Sequence, residues 1–139
     1  MHPAQLIARM FMEINKIKFK AKCIWNGKWV EGYFYKECEN TYIIENKQSE
    51  SLINRNRPYL VEPNTICQFT GLKDQNGKEV WEHDIIECRY FKGEILFFNG
   101  CFRVQIYNGA CFPFTTLFTS DGKIDNCEVI GNKFDKKYE

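Results

Sequence analysis

The residues best suited to chemistry in this 139-residue chain gather in two places. Between positions 74 and 84 stand Asp74, Glu79, Glu82, His83 and Asp84, the carboxylates and imidazole from which a hydrolase builds an acid–base pair or a metal cradle. Between 18 and 35, three lysines at alternate positions (Lys18, Lys20, Lys22) precede Trp29, Tyr33 and Tyr35, joining cations for phosphates to flat rings for bases. Seven cysteines lie scattered at 23, 38, 67, 88, 101, 111 and 127, none close enough to another for a CxxC pair. With only His2 and His83 to complete a set, no zinc site and no other metal or cofactor is expected. Neither GxxxxGK[ST] nor a GxGxxG between strand and helix occurs, so nucleotide hydrolysis and dinucleotide redox chemistry lose their usual cradles.

Each group has a structural reading as well. The acidic run is rich in turn residues: Asp74 can accept backbone N–H groups of a turn at Asn76-Gly77, and Glu82-His83-Asp84 can turn the chain into a strand from Ile85. Turn and cap carboxylates outnumber catalytic ones, and no spacing pairs His83 with a cysteine nucleophile, so the protein is read as a non-enzyme. For the lysines, the structural alternative is that they guard a strand edge and lay their stems over aromatic rings. The ligand reading takes Lys18, Lys20, Lys22, Trp29, Tyr33 and Tyr35 as a binding face for nucleic acid or a small nucleotide. Unpaired strand edges and the aromatic surplus suit instead a grip on a host protein, or a homo-oligomer.

What must position these residues is a sheet. Aromatic residues make up 16% of the chain, which favours strands, while 44% apolar and 27% charged content is that of a globular domain. The formal charge of +1 provides no global field toward nucleic acid or membrane, so any attraction must be local. The odd number of scattered cysteines reads as reduced thiols in a cytoplasm. Leu6, Ile7, Met10 and Phe11 could form a short helical stretch, too short to span a membrane and without the features of a secretory signal. Residues 1–12 are accordingly read as an extension, with Met12 a candidate initiator. Residues 13–139 are read as a single cytoplasmic domain in which a hairpin, 17–45, packs on a part spanning 59–135.

Five of the nine glycines follow Asn or Asp, at Asn26-Gly27, Asn76-Gly77, Asn99-Gly100, Asn108-Gly109 and Asp121-Gly122. Such pairs favour tight hairpin turns and predict an antiparallel meander, a small barrel-like or curled sheet with little helix. A two-residue loop at Asn26-Gly27 would pair Cys23 with Val30, Ala21 with Gly32 and Phe19 with Phe34, and set Lys22 across from Glu31. Phe19, Ala21, Cys23, Val30 and Phe34 then face inward, while the lysines, Ile24, Trp29, Glu31, Tyr33 and Tyr35 face outward. At Asn99-Gly100 the same rule pairs Phe97 with Phe102 and Ile95 with Val104. At Asn108-Gly109 it pairs Ile106 with Cys111 and sets Pro113 opposite Val104, all on one buried face. Asn40 to Ile44 reads as a further strand, Lys47 to Arg57 as a loop, and Pro113 to Phe118 as a single helical turn.

The run Thr70-Gly71-Leu72-Lys73-Asp74-Gln75-Asn76-Gly77-Lys78-Glu79-Val80-Trp81-Glu82-His83-Asp84-Ile85-Ile86 resembles the YopX family of phage and prophage proteins, which shows TGL-x-D-x-NG-K-E-[IV]-[YFW]-EGD-I-V at this place. Lys18 to Ala21, Gly27 to Gly32, Glu62 to Phe69, Gly93 to Ile95 and Glu128 to Asn132 extend the likeness from about Ile17 to Asp135. His83 departs from it, standing where the family has Gly and implying a positive φ that His tolerates. The resemblance implies a β-rich fold and carriage by a bacteriophage, prophage or related mobile element. It supplies no catalytic residues. Together with the basic-aromatic face it suggests an accessory protein that binds nucleic acid or a host protein, or else an anti-defence protein that sequesters a nucleotide signal.

Overall fold

The computed structural model describes residues 16–45, 57–117 and 126–135. The expectations for residues 1–12, for 46–56 and for the Asp121-Gly122 turn lie outside them. The described residues form eleven strands and two short 3-10 turns, with no α-helix among them. The class is mainly β. Two compact units divide the chain at residues 68 and 69, each with its own core.

In the first unit, β1 (Phe19–Lys22), β2 (Trp29–Glu37), β3 (Asn40–Ile44) and β4 (Pro58–Leu60) run antiparallel in the order β4-β3-β2-β1. The beginning of β5 (Cys67–Lys73) joins the other side of β1, through Phe19↔Gln68 and Lys20↔Cys67. Period-two alternation sends Phe19, Ala21 and Val30 inward against Ile43, Val61, Tyr59 and Ile66, and Ala21, Ile43 and Val61 are fully buried. Phe34 meets Phe19 edge-on at 4.7 Å and is still 41% exposed. Gly32 is needed where β2 and β3 approach, because a Cβ there would collide with the Ile44 carbonyl oxygen.

The first hairpin closes two residues wider than the Asn-Gly rule predicts. Cys23 N–H donates to the Lys28 carbonyl at 2.9 Å, leaving residues 24–27 as the loop. Only Gly27 of the Asn-Gly pair has positive φ, 68°, while the Asn26 side chain accepts from Lys28 N–H at 2.9 Å. Val30 therefore pairs with Ala21 rather than Cys23, Gly32 with Phe19, and Glu31 with Lys20 rather than Lys22. A slip by an even number preserves both faces, so the expected sets keep their sides, except that Ile24 falls in the loop and Phe34, expected inward, stays exposed.

In the second unit the rest of β5 pairs with β6 (Glu79–Trp81), through Phe69↔Trp81 and Lys73↔Glu79. Five further strands form an antiparallel sheet in the order β10-β9-β8-β7-β11: β7 (Asp84–Cys88), β8 (Lys92–Phe98), β9 (Cys101–Ile106), β10 (Cys111–Pro113) and β11 (Cys127–Asn132). Among the described residues this sheet is open at both ends of its order and does not close into a barrel. Asn99 and Gly100 both have positive φ, 52° and 80°, and the predicted pairs Phe97↔Phe102 and Ile95↔Val104 form. Val80, Ile86, Ile95, Val104, Phe114 and Cys127 make the buried core. Phe97, beside the turn, stays 45% exposed.

Two expectations are overturned here. The Asn108-Gly109 loop spans residues 107–109, closed by Ile106 N–H on the Ala110 carbonyl at 2.9 Å, with φ of 106° at Gly109. This odd slip pairs Cys111 with Gln105 and Phe112 with Val104. Cys111 is consequently exposed, Phe112 packs on the core in its place, and Pro113 lies opposite Arg103 on the edge strand. The cysteines are not all reduced either: Cys88 and Cys127, directly paired on β7 and β11 with Cα atoms 4.1 Å apart, form a disulfide. Their 39-residue separation hides in the sequence what strand pairing brings together. Phe114–Leu117 makes the expected helical turn, of 3-10 type.

Candidate nucleic-acid interface

The outer side of the first sheet is set by strand parity. β1 contributes Lys20 and Lys22, each half-buried, opposite Glu31 and Trp29 of β2. The Nζ atoms of Lys20 and Lys22 lie 4.6 Å and 5.1 Å from the Trp29 ring centroid, so one indole is in cation–π reach of two ammonium groups. Lys18 Nζ, one step outside β1, reaches Glu31 Oε1 at 2.8 Å. Further along β2, Tyr33 is 47% exposed, and Tyr35 stacks on Tyr42 of β3 with centroids 5.1 Å apart and planes 18° apart. The six expected residues therefore share a face, and the structure adds Tyr42, which the sequence reading left out of the site. The β2–β3 turn is Cys38-Glu39, with Cys38 at φ 55° and neither Asn nor Gly to announce it. Applying strand register across that turn would have found Tyr42.

Arranged so, the face brings three lysines of β1 and its approach beside Glu31, Trp29, Tyr33 and Tyr35 of β2, with Glu37 at the far end of the same side. Ammonium groups on alternate residues of a strand stand roughly 6–7 Å apart, a spacing open to successive backbone phosphates of an extended polymer. Their contacts with Trp29 also hold the rings in place, so the structural and the binding readings draw on the same geometry.

The acidic run of the second unit has a different use. Asp74 is buried, and its Oδ1 accepts from Asn76 N–H (2.9 Å) and Lys78 N–H (2.8 Å), closing the Asn76-Gly77 turn as its sequence position suggests. Its Oδ2 accepts from Val129 N–H at 2.9 Å, a link to β11 that no local pattern announces. Asp84 is equally buried: Oδ2 accepts from Trp81 N–H at 2.8 Å, across the Glu82-His83 turn, and Oδ1 accepts from Asn132 Nδ2 at 2.9 Å. Asn132 Nδ2 also lies 3.3 Å from the Glu82 carbonyl.

His83 takes φ 68°, the backbone the resemblance implies for a Gly position. Its N–H donates to the Ile95 carbonyl at 2.7 Å and its carbonyl accepts from Lys133 N–H at 2.9 Å. The imidazole lies between Glu94 (Nδ1 to Oε2, 2.9 Å) and Glu82 (Nε2 to Oε2, 3.5 Å), edge-on to Phe134. Among the described residues no three His, Cys, Asp or Glu side chains converge as a metal site. The unit also holds a largely apolar cavity of about 400 Å³, lined by Thr70, Phe97, Gly100, Cys101, Phe102, Pro113 and Phe114.

The buried Asp74, Asp84 and Asn132 thus stand within the motifs that carry the family likeness, and a family model for YopX protein matches residues 8–136. The chain belongs to the YopX family. No curated protein matches the sequence. In this YopX chain the signature run and the Glu128 to Asn132 segment lock β11 to the turns before β6 and β7, while the lysine and ring face belongs to the other unit. Among the described residues no helix is long and apolar enough to cross a membrane.

Proposed function

We propose that this protein is a non-catalytic binding protein of a phage, prophage or related mobile element, acting in the host cytoplasm, and that its outer β1–β2–β3 face binds single-stranded nucleic acid. The observation that carries the reading is the placement of the Lys20 and Lys22 ammonium groups over the Trp29 ring, beside the half-exposed Tyr33. Phosphates would meet the lysines while bases stack on the tyrosines, so that backbone affinity comes from charge and sequence tolerance from the rings. A free nucleotide signal would satisfy the same chemistry over a shorter span, which makes sequestration in an anti-defence role the second reading. The uncommitted charged side chains of an enzyme are not needed in either: Asp74 and Asp84 already accept backbone and amide hydrogens.

The test is fluorescence anisotropy with a labelled single-stranded oligonucleotide over a salt series. Contact with three phosphates gives a log–log salt slope of about −2, from roughly −0.7 per phosphate on single strands. Lys20→Glu with Lys22→Glu should flatten the slope and weaken binding. Affinity indifferent to salt and to both substitutions would remove nucleic acid from the reading and leave a host protein as the partner. Heat stabilisation by a cyclic dinucleotide that is not turned over, without oligonucleotide binding, would select sequestration.

A further inference from the structure

We propose that Arg103 and Phe98, on the outer side of the five-stranded sheet, form an anion site for a ligand bearing an oxyanion, phosphate or carboxylate, on a flat apolar body. The site lies in the second unit and does not depend on the nucleic-acid reading of the first.

Arg103 stands on β9 between Leu96 of β8 and Pro113 of β10, both in register with it. Its guanidinium lies over the Phe98 ring, 5.0 Å from the centroid, and Phe98 is 41% exposed. The Arg103 Nε–H is enclosed and meets no acceptor. A buried charged donor left without an acceptor costs free energy, and native structures satisfy nearly all such groups. The residue as a whole is half-buried, so part of it meets solvent.

Among the described residues, its register neighbours on β8 and β10 are not acidic. On the same side of β8 the nearest carboxylate in sequence register is Glu94, and that is held by His83 Nδ1 at 2.9 Å. On β9, Gln105 Nε2 donates to the Ile106 and Ala110 carbonyls at 3.1 Å and 3.2 Å. Leu96 and Pro113 are apolar. A planar fork whose Nε–H meets no acceptor fits a carboxylate or phosphate side-on, through Nε and one Nη together. Phe98, lying against the fork and exposed at the sheet's end, supplies the surface on which a ring attached to that oxyanion would rest. The Phe98 ring, lying against the guanidinium, is a second reporter of binding.

The experiment records ¹H–¹⁵N signals of the arginine Nε–H groups and the Phe ring signals of the intact chain. Inorganic phosphate, phenyl phosphate and benzoate are titrated separately. The expected result is a saturable shift of the Arg103 Nε–H and Phe98 signals, with phenyl phosphate or benzoate binding about tenfold tighter than inorganic phosphate through the ring contact. Response to phenyl phosphate alone assigns the source as a phosphate, to benzoate alone as a carboxylate, and to both as either oxyanion. Arg103→Met keeps the packing stem and should abolish every shift without lowering the melting temperature, because it removes the unsatisfied donor. Arg103→Lys should weaken the shift, having charge but no fork. Absence of a saturable shift with all three probes, or shifts that persist in Arg103→Met, overturns the proposal. So does an Arg103→Met variant that melts well below the parent, which would make the cation on the ring a structural contact.

Discussion

The two units use polar side chains in opposite ways. In the second, Asp74, Asp84 and Asn132 are buried and spend their hydrogen-bonding capacity on backbone N–H groups, on one another and on a carbonyl, joining segments 48 to 55 residues apart. In the first, Lys18, Lys20 and Lys22 stand on the outer side of a sheet, against rings and one glutamate. Buried carboxylates that accept two or three hydrogen bonds are costly to remove, whereas cations at a sheet surface, half-buried against rings, add less to stability. The family likeness is densest where polar groups do structural work, and the face best suited to a ligand lies elsewhere.

This contrast can be broken most decisively at Asp74. Asp74→Ala would strand three backbone N–H groups, including that of Val129, and should cost on the order of 3–5 kcal/mol in urea unfolding. A cost below about 1 kcal/mol would show that the carboxylate does not tie β11 to the turn. Next comes the Cys88–Cys127 bridge, which closes a loop of 39 residues. Reduction, or Cys88→Ala with Cys127→Ala, should lower stability by about 2–4 kcal/mol; a melting temperature unchanged by reductant would mean that β11 is held without it.

On the other side of the comparison, Lys20→Glu with Lys22→Glu should change unfolding free energy by less than about 1 kcal/mol. The same pair should weaken single-stranded oligonucleotide binding by tenfold or more, about 1.4 kcal/mol per decade, measured by anisotropy at fixed salt. If instead the double variant unfolds readily, the lysines belong with the structural set and the contrast between the units fails. The smallest effect is expected at Glu31, whose carboxylate sits among the lysines and pairs with Lys18. Glu31→Gln should strengthen oligonucleotide binding by roughly two- to fivefold through lost like-charge repulsion, with stability nearly unchanged. Weaker binding would assign Glu31 to ordering the lysines rather than opposing the phosphates.

Much of this was legible because a strand's two faces depend only on odd or even position. Lys18, Lys20, Lys22, Trp29, Tyr33 and Tyr35 share one side by parity even though the hairpin register differs by two residues from the Asn-Gly rule. What an Asn-Gly pair does not state is the length of its loop. Asn99-Gly100 closes in two residues with both φ angles positive, whereas Asn108-Gly109 and Asn26-Gly27 have positive φ only at the glycine and sit in loops of three and four. The odd case misplaced Cys111 and Phe112. Tyr42 was missed because the Cys38-Glu39 turn carries no turn signal, and Cys88–Cys127, Asp74–Val129 and Asp84–Asn132 because long-range pairing leaves no mark at either end. Arg103 was invisible for a related reason: an unsatisfied Nε–H is a property of its neighbours, not of its position in the sequence.

The width of the first hairpin has a consequence for how such a chain tolerates change. Two residues gained or lost between Cys23 and Lys28 would slide the ribbon along itself and leave its greasy and wet sides where they are. One residue would turn β2 over against β1, aligning Ala21 with Glu31 and sending Val30 out to join the lysines. Insertions at that corner are therefore tolerated in pairs and ruinous singly, a parity constraint that a hairpin length census among relatives would reveal as missing odd sizes.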